Sequence, residues 1–199
     1  MKKILHVISS PRGAASLSIK LGNAVIDKIK AAYPGSVVKE RNLAETSFPH
    51  LEESHIASFH TPPESRTPAL IEAVRHSDEV IAEVKDADII VIGAPVYNFN
   101  VHSSLKAWID HLIRSNATFK VSEKGVEGLV TGKKVYIALS SGGVLSEGPM
   151  HSHDFVPPYL KAILGFIGLT DITVFRVEGV SIPGIQDTAW EKGVASIAL

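Results

Sequence analysis

ADIIVIGAPVYNFNVHSSLKAWIDHLI, residues 87–113, is the stretch that decides the fold. Its apolar run from Ile89 to Ile92, followed by Gly93, has the length and continuity of a strand buried on both faces. Pro95 brings no N–H and so stops the ladder, and Val96, Tyr97, Asn98, Phe99 and Asn100 form a loop outside the strand's carboxyl end. Leu105, Trp108, Ile109, Leu112 and Ile113 then share one helical face, with Ser103 or Ser104 as the N-cap. In an open α/β sheet, ligands bind in the crevice at the strands' carboxyl ends. A loop there with a tyrosine, a phenylalanine and two asparagines suits a flat aromatic ligand with hydrogen-bonding edges. It equally suits an ordinary connection with partly buried aromatics.

Working outward, Lys3 to Ile8 reads as a buried first strand, followed by a small-residue loop from Ser9 to Ser18. Leu21, Val25, Ile26 and Ile29 mark a helix over 18–32, ended by Pro34-Gly35, with Gly22 as a weak point. A second strand is placed within 36–42 by its position between helices, since only Val37 and Val38 are apolar there. Residues 46–68 hold four prolines and three histidines with no clear period, a length that points to function or packing onto a neighbour. Thr67 caps a helix that Pro68 starts and that runs through Val84.

Beyond the central helix, Phe119-Lys120-Val121 and Leu129-Val130 flank a small hairpin around Glu123-Lys124-Gly125. A fourth sheet strand is expected over 135–140, a helix over 158–167 with Gly168 at C′, a fifth strand over 171–177 and a closing helix over 189–199. Strands alternating with helices imply a doubly wound parallel sheet with helices on both faces, and five strands most resemble the flavodoxin-like order 2-1-3-4-5.

The 199 residues, 45% hydrophobic, fit one domain with a sizeable core, so 1–199 is expected to be a single domain. A net charge of −1 gives no electrostatic footprint for nucleic acid or an anionic membrane surface. No apolar run approaches the ~20 residues of a membrane span. The opening Met1-Lys2-Lys3 leads through a short apolar run straight into a helical pattern, unlike a signal peptide. With no cysteine there is no disulfide, thiolate nucleophile or thiolate metal site. The expectation is a soluble cytoplasmic protein.

In the 2-1-3-4-5 order, the first, third and fourth strands are neighbours, so their carboxyl-end loops converge. The first loop offers hydroxyls at Ser9, Ser10, Ser16 and Ser18 and the free N–H groups of a helix start, which favour a phosphate. It is equally consistent with simple N-capping, and it carries neither GxGxxG nor a Walker lysine. The third loop can line the plane of a ring. Gly142-Gly143 in the fourth lets backbone approach a ligand, although paired glycines are also common in turns. Together the three loops describe a site for flavin mononucleotide, FMN.

Ser9-Ser10-Pro11-Arg12 with Ser16 and Ser18, Pro95-Val96-Tyr97-Asn98-Phe99-Asn100, Gly128-Leu129-Val130-Thr131-Gly132-Lys133-Lys134, Ser140-Ser141-Gly142-Gly143 and Leu164-Gly165-Phe166-Ile167-Gly168 occur in order along nearly the whole chain. In these it resembles the FMN-dependent NADH:quinone oxidoreductase and azoreductase family. The resemblance implies a flavodoxin-like homodimer with one tightly bound FMN per subunit in a cleft at the subunit interface. It implies ping-pong reduction of quinones to hydroquinones and of aromatic azo compounds to amines, with NADH as donor and NADPH as the alternative. Carried onto this chain, it puts Ser10, Ser16, Leu17 and Ser18 at the phosphate and Val96, Tyr97, Asn98 and Phe99 along the ribityl chain and ring. Ser140, Ser141, Gly142 and Gly143 then follow the ring's far edge, and Phe119 and Phe166 wall the substrate slot. Core or interface packing is the alternative for those two phenylalanines, and it accounts for Phe166 equally well. The chain departs from the family at Val96, where methionine is frequent, at Ser141 for arginine and Leu145 for histidine, and in a longer loop over 150–158.

Other classes are less well supported. A serine hydrolase has no GxSxG elbow here, and Asp110 and His111 are adjacent on a helix, so they face different ways. His151, His153 and Asp154, or His50, His55 and His60, are close enough in sequence to share a metal, but no HExxH is present and no metal is expected. A flavodoxin-type electron carrier tends to be strongly acidic for docking, which −1 is not.

Overall fold

The computed structural model describes residues 1–46 and 48–199. Five strands form one parallel sheet in the order β2-β1-β3-β6-β7: β1 Lys3–Ile8, β2 Val37–Asn42, β3 Ile89–Pro95, β6 Lys134–Ser140 and β7 Asp171–Val177. A two-stranded hairpin, β4 Phe119–Ser122 and β5 Gly125–Gly128, stands apart from it. The helices are α1 Leu17–Ala32, α2 Glu53–His60, α3 Pro68–Asp86, α4 Ser103–Leu112, α5 Val156–Phe166 and α6 Gln186–Ala195.

All seven residues of β3 are buried, and alternate side chains divide between two cores. Ile90 and Ile92 point with Leu5, Val7, Ile137 and Leu139 to the face covered by α3, α4 and α5. Ile89 and Val91 point with Ile4, Ala138 and Phe175 to the face covered by α1 and α6. At ~1.5–3 kcal/mol for each large apolar side chain removed from water, these two layers dominate the stability of the fold. β2 lies at an edge and is mostly exposed, which is why its pattern is only weakly apolar.

Residues 46–68, expected to have no regular structure, contain α2 and a 3₁₀ turn at Pro63–Ser65. Ser47 lies outside the described residues. The inward face of α2 is polar: His55 and Ser58 are its buried side chains, and His55 meets His111 of α4 edge-on with centroids 5.1 Å apart. The hairpin's second strand is β5, earlier than Leu129-Val130, because those two donate instead to the carbonyls of Thr118 and Ile167. α4 is capped by His102, whose Nδ1 accepts from the Ser104 N–H. Gly168, at φ +102, ends α5 in a Schellman turn: its N–H reaches the carbonyl of Gly165 and that of Leu169 reaches Leu164. Among the described residues, no helix is long and apolar enough to cross a membrane.

His6 explains Gly22. The ring is fully buried between β1 and α1, and a Cβ at position 22 would come within 2.7 Å of its Nε2. Neither ring nitrogen has a hydrogen-bond partner among the described residues, and burial lowers the pKa to about 4. The native state therefore holds a neutral ring, while the unfolded chain takes up a proton below about 6.5. Stability from this group is complete above that pH and is lost as pH falls from about 6.5 to 4, by roughly 3 kcal/mol at ~1.36 kcal/mol per pKa unit. Denaturant titrations of His6→Leu should show a flatter decline across that window than wild type; parallel curves would contradict the assignment.

Candidate functional site

The strand registers bring one rim together. Ile8 pairs with Gly93, Pro95 with Ser140, and Ser140 with Val177, so β1, β3, β6 and β7 all end at the same edge of the sheet. Ser9 ties the first loop to strand β3 by donating from Oγ to the Gly93 carbonyl at 2.7 Å.

In the first loop, Ser16 is the N-cap of α1, its Oγ accepting from the Ile19 N–H at 3.4 Å and lying 3.0 Å from the Ser18 Oγ. Its carbonyl accepts from the Lys20 N–H. The N–H groups of Leu17 and Ser18, first and second in the helix, have no acceptor among the described residues. They carry the positive end of the helix dipole into the rim.

The loop after β3 is a tight two-residue turn. Tyr97 and Asn100 exchange both backbone hydrogen bonds, at 3.0 and 2.9 Å, and Asn98 and Phe99 between them adopt φ of +49 and +64. Positive φ at both central positions defines a type I′ turn, which asparagine tolerates and a bulky phenylalanine does not, at ~1–2 kcal/mol. The turn leaves the N–H groups of Asn98 and Phe99 unbonded within the chain, among the described residues, and holds the Phe99 ring 41% exposed.

The loops after β6 and β7 are zipped together. Ser141 donates to the Val177 carbonyl, Ser181 to Gly142 and Gly179 to Gly143, while the Ser141 Oγ closes on the Gly143 carbonyl at 2.7 Å. Between these loops and the first two lies a cleft of about 540 Å³, its open mouth included, lined by serines at 10, 16, 140, 141 and 181 together with Arg12, Leu17, Pro95, Val96, Tyr97, Gly142 and Val180. Among the described residues, no carboxylate lines it, and Arg12 is its one charged side chain.

The chain matches the family described as Flavodoxin-like fold over residues 2–198. It is 50% identical over 182 residues to the FMN-dependent NADH:quinone oxidoreductase of Herminiimonas arsenicoxydans, covering 92% of this chain and 89% of the relative. It is 49% identical over 181 residues to FMN-dependent NADH:quinone oxidoreductase 1 of Rhizobium etli, covering 91% and 88%. The chain belongs to the FMN-dependent NADH:quinone oxidoreductase family. Its structure superposes on a Bacillus anthracis azoreductase with a TM-score of 0.87 and 28% identity, over 98% of each chain.

The residues of this family member fit FMN. A dianionic phosphate would meet two open N–H groups, a helix N-terminus and serine hydroxyls, with no competing carboxylate among the described residues. A planar ring would meet the apolar surfaces of Pro95, Val96, Tyr97 and Val180. Of the residues expected in the site, Ser10, Ser16, Leu17, Val96, Tyr97, Ser140, Ser141 and Gly142 line the cleft. Ser18 is buried beneath it, Asn98 and Phe99 form the turn at its rim, and Gly143 lies one residue beyond the lining. Phe119 and Phe166 pack against each other, centroids 4.6 Å apart and planes tilted by 55°, but do not line the cleft of their own chain.

Arg12, Val180 and Ser181 were not among the expected contacts. The last two come from the loop after the fifth sheet strand, and the small run Gly179-Val180-Ser181 after an apolar strand was the available signal.

The groups that a rival chemistry would need are otherwise engaged. Asp110 pairs with Lys106 at 2.6 Å, while His111 turns inward, its Nε2 3.0 Å from the Pro49 carbonyl. Asp154 is held by Arg176 at 2.6 Å, and His151 Nδ1 lies 3.1 Å from the Leu145 carbonyl. Among the described residues, no group of three or more histidines and acidic side chains is arranged to hold a metal.

Proposed function

We propose that this protein is an FMN-dependent NADH:quinone oxidoreductase that reduces quinones to hydroquinones and cleaves aromatic azo compounds to amines. The observation that carries the reading is the rim itself: a helix start with open N–H groups, an apolar wall and further open backbone N–H groups face one cleft with no carboxylate among the described residues, in a chain half identical to named members of the family. Bound FMN supplies reversible hydride acceptance at its N5. The chain therefore needs no strong acid or nucleophile of its own.

Ser10, Ser16, Leu17 and Ser18 would hold the phosphate. Val96, Tyr97, Asn98 and Phe99 would lie along the ribityl chain and ring, with Ser140, Ser141, Gly142 and Gly143 at the far edge. The backbone N–H groups of Asn98, Gly142 and Gly143 have no acceptor in the chain among the described residues, so they can stabilise negative charge there.

In this reading residues 1–199 form one FMN-binding domain of a cytoplasmic homodimer. Val121 and Val126, paired across the hairpin, are 67% and 53% exposed, and Phe166 beside them is 39% exposed. A second copy covering this face would bring Phe119 and Phe166 to the partner's cleft, where they could wall the acceptor slot that they do not reach in their own chain. The reading is tested by steady-state turnover: NADH should be oxidised rapidly with a benzoquinone as acceptor, giving parallel double-reciprocal plots. A flavin-bearing protein that oxidised NADH no faster with quinone than without would contradict it and favour an electron carrier.

A further inference from the structure

The loop that follows Gly143 closes on the turn after β3. The 3₁₀ helix Gly148–His153 delivers the His153 imidazole onto the Phe99 ring, centroids 4.8 Å apart and planes at 40°. This loop is firmly held at its base. The Asp154 carboxylate takes both terminal nitrogens of Arg176, at 2.6 and 3.2 Å, and Arg176 also binds Glu178 at 3.0 Å. Glu178 Oε1 in turn accepts from the N–H groups of Leu145 and Ser146.

With those anchors in place, the contact between His153 and Phe99 is not needed to order the loop. The two-residue turn sets position 99 in the left-handed region, where glycine or asparagine would stand with less strain; a phenylalanine there, 41% exposed, builds no core, and strain of that kind concentrates at functional sites. His153 Nδ1 lies 3.2 Å from the Ser152 hydroxyl, and its Nε2 has no partner among the described residues.

We infer that His153 is a specificity-determining residue of the acceptor slot: its imidazole, laid on Phe99, forms the outer aromatic wall that holds a single-ring quinone at the mouth of the cleft. The inference rests on the oxidoreductase reading. A single ring depends on this wall because it has little other surface to stack. A two-ring azo acceptor spans past it and depends on it less.

The test compares wild type, His153→Ala and His153→Phe with benzoquinone and with a diaryl azo dye, NADH being saturating. Bound flavin is measured alongside, as is calorimetric binding of 4-methoxyphenol, a hydroquinone ether that accepts no hydride. His153→Ala should raise KM for benzoquinone roughly three- to tenfold, the range that an aromatic pair supplies, with kcat within about twofold. The preference for benzoquinone over the dye should fall by a similar factor, 4-methoxyphenol should bind correspondingly more weakly, and flavin content should be unchanged. His153→Phe should restore all three values.

An unchanged preference in His153→Ala, or an equal loss in His153→Phe, would overturn the inference while leaving the oxidoreductase reading intact. Wild-type protein with neither flavin nor quinone turnover would overturn both.

Discussion

Protein carrying Tyr97→Ala, Asn98→Ala and Phe99→Ala together is expected to fold with an unchanged far-ultraviolet spectrum yet to purify without colour. The turn itself should survive, because its two closing hydrogen bonds run between the backbones of residues 97 and 100. What disappears is one wall of the cleft: the Tyr97 surface that lines it, the Phe99 ring at the rim and the Asn98 side-chain amide. At ~0.5–1.5 kcal/mol per aromatic contact and ~1 per hydrogen bond, flavin affinity should drop on the order of a hundredfold or more. Titration of the apoprotein with FMN reads this directly. Stoichiometric flavin retained through purification of the triple variant would show that the turn after β3 is not part of the site.

The second large effect is on the fold. Gly128→Ala is expected to destabilise by roughly 3 kcal/mol, the upper part of the overpacking range, lowering Tm by about 10 °C. A Cβ at position 128 would overlap the Gly168 nitrogen and the Ile167 carbonyl carbon. Both belong to the Schellman turn that ends α5, so neither can move without breaking its hydrogen bonds. The segment that leaves the hairpin is tied to the end of α5 just beyond this point, through the Val130 N–H on the Ile167 carbonyl at 2.8 Å. Lifting the hairpin separates Phe119 from Phe166, so benzoquinone turnover should suffer beyond the loss of folded protein if those rings wall the slot. Lys124→Ala, in the exposed hairpin turn, is the control and should lie within about 0.5 kcal/mol of wild type. A Gly128→Ala melt coincident with wild type would refute the packing argument.

Much of this architecture was legible because the sheet is parallel and buried. Lys3–Ile8 and Asp171–Val177 stand out as short apolar runs between turn signals, and their observed bounds are those expected. Alternation gives the doubly wound parallel sheet, and the order 2-1-3-4-5 expected by likeness to the flavodoxin arrangement is the one observed, so the loops after the first, third and fourth sheet strands meet.

The parts that escaped share a cause, namely side chains that bury polar atoms or backbone instead of an apolar stripe. α2 buries His55 and Ser58, so it shows no hydrophobic period. The cap of α4 is a histidine rather than either neighbouring serine, since the Nδ1 of His102 reaches the same N–H that a serine would. Leu129 and Val130 look like strand residues, but they spend their backbone donors on Thr118 and Ile167. Val180 and Ser181 reach the cleft only because their loop is hydrogen-bonded to the one before it, a tertiary fact with no periodic trace.

The account stands on the proposition that one rim of the sheet grips FMN and lets electrons pass through it. The visible spectrum of the purified protein, taken before and after anaerobic addition of NADH, tests that most directly. The account predicts flavin bands equivalent to one FMN per chain that bleach on NADH addition and return when a quinone is added. A folded, colourless protein that takes up no added FMN, or flavin bands indifferent to NADH, would contradict it.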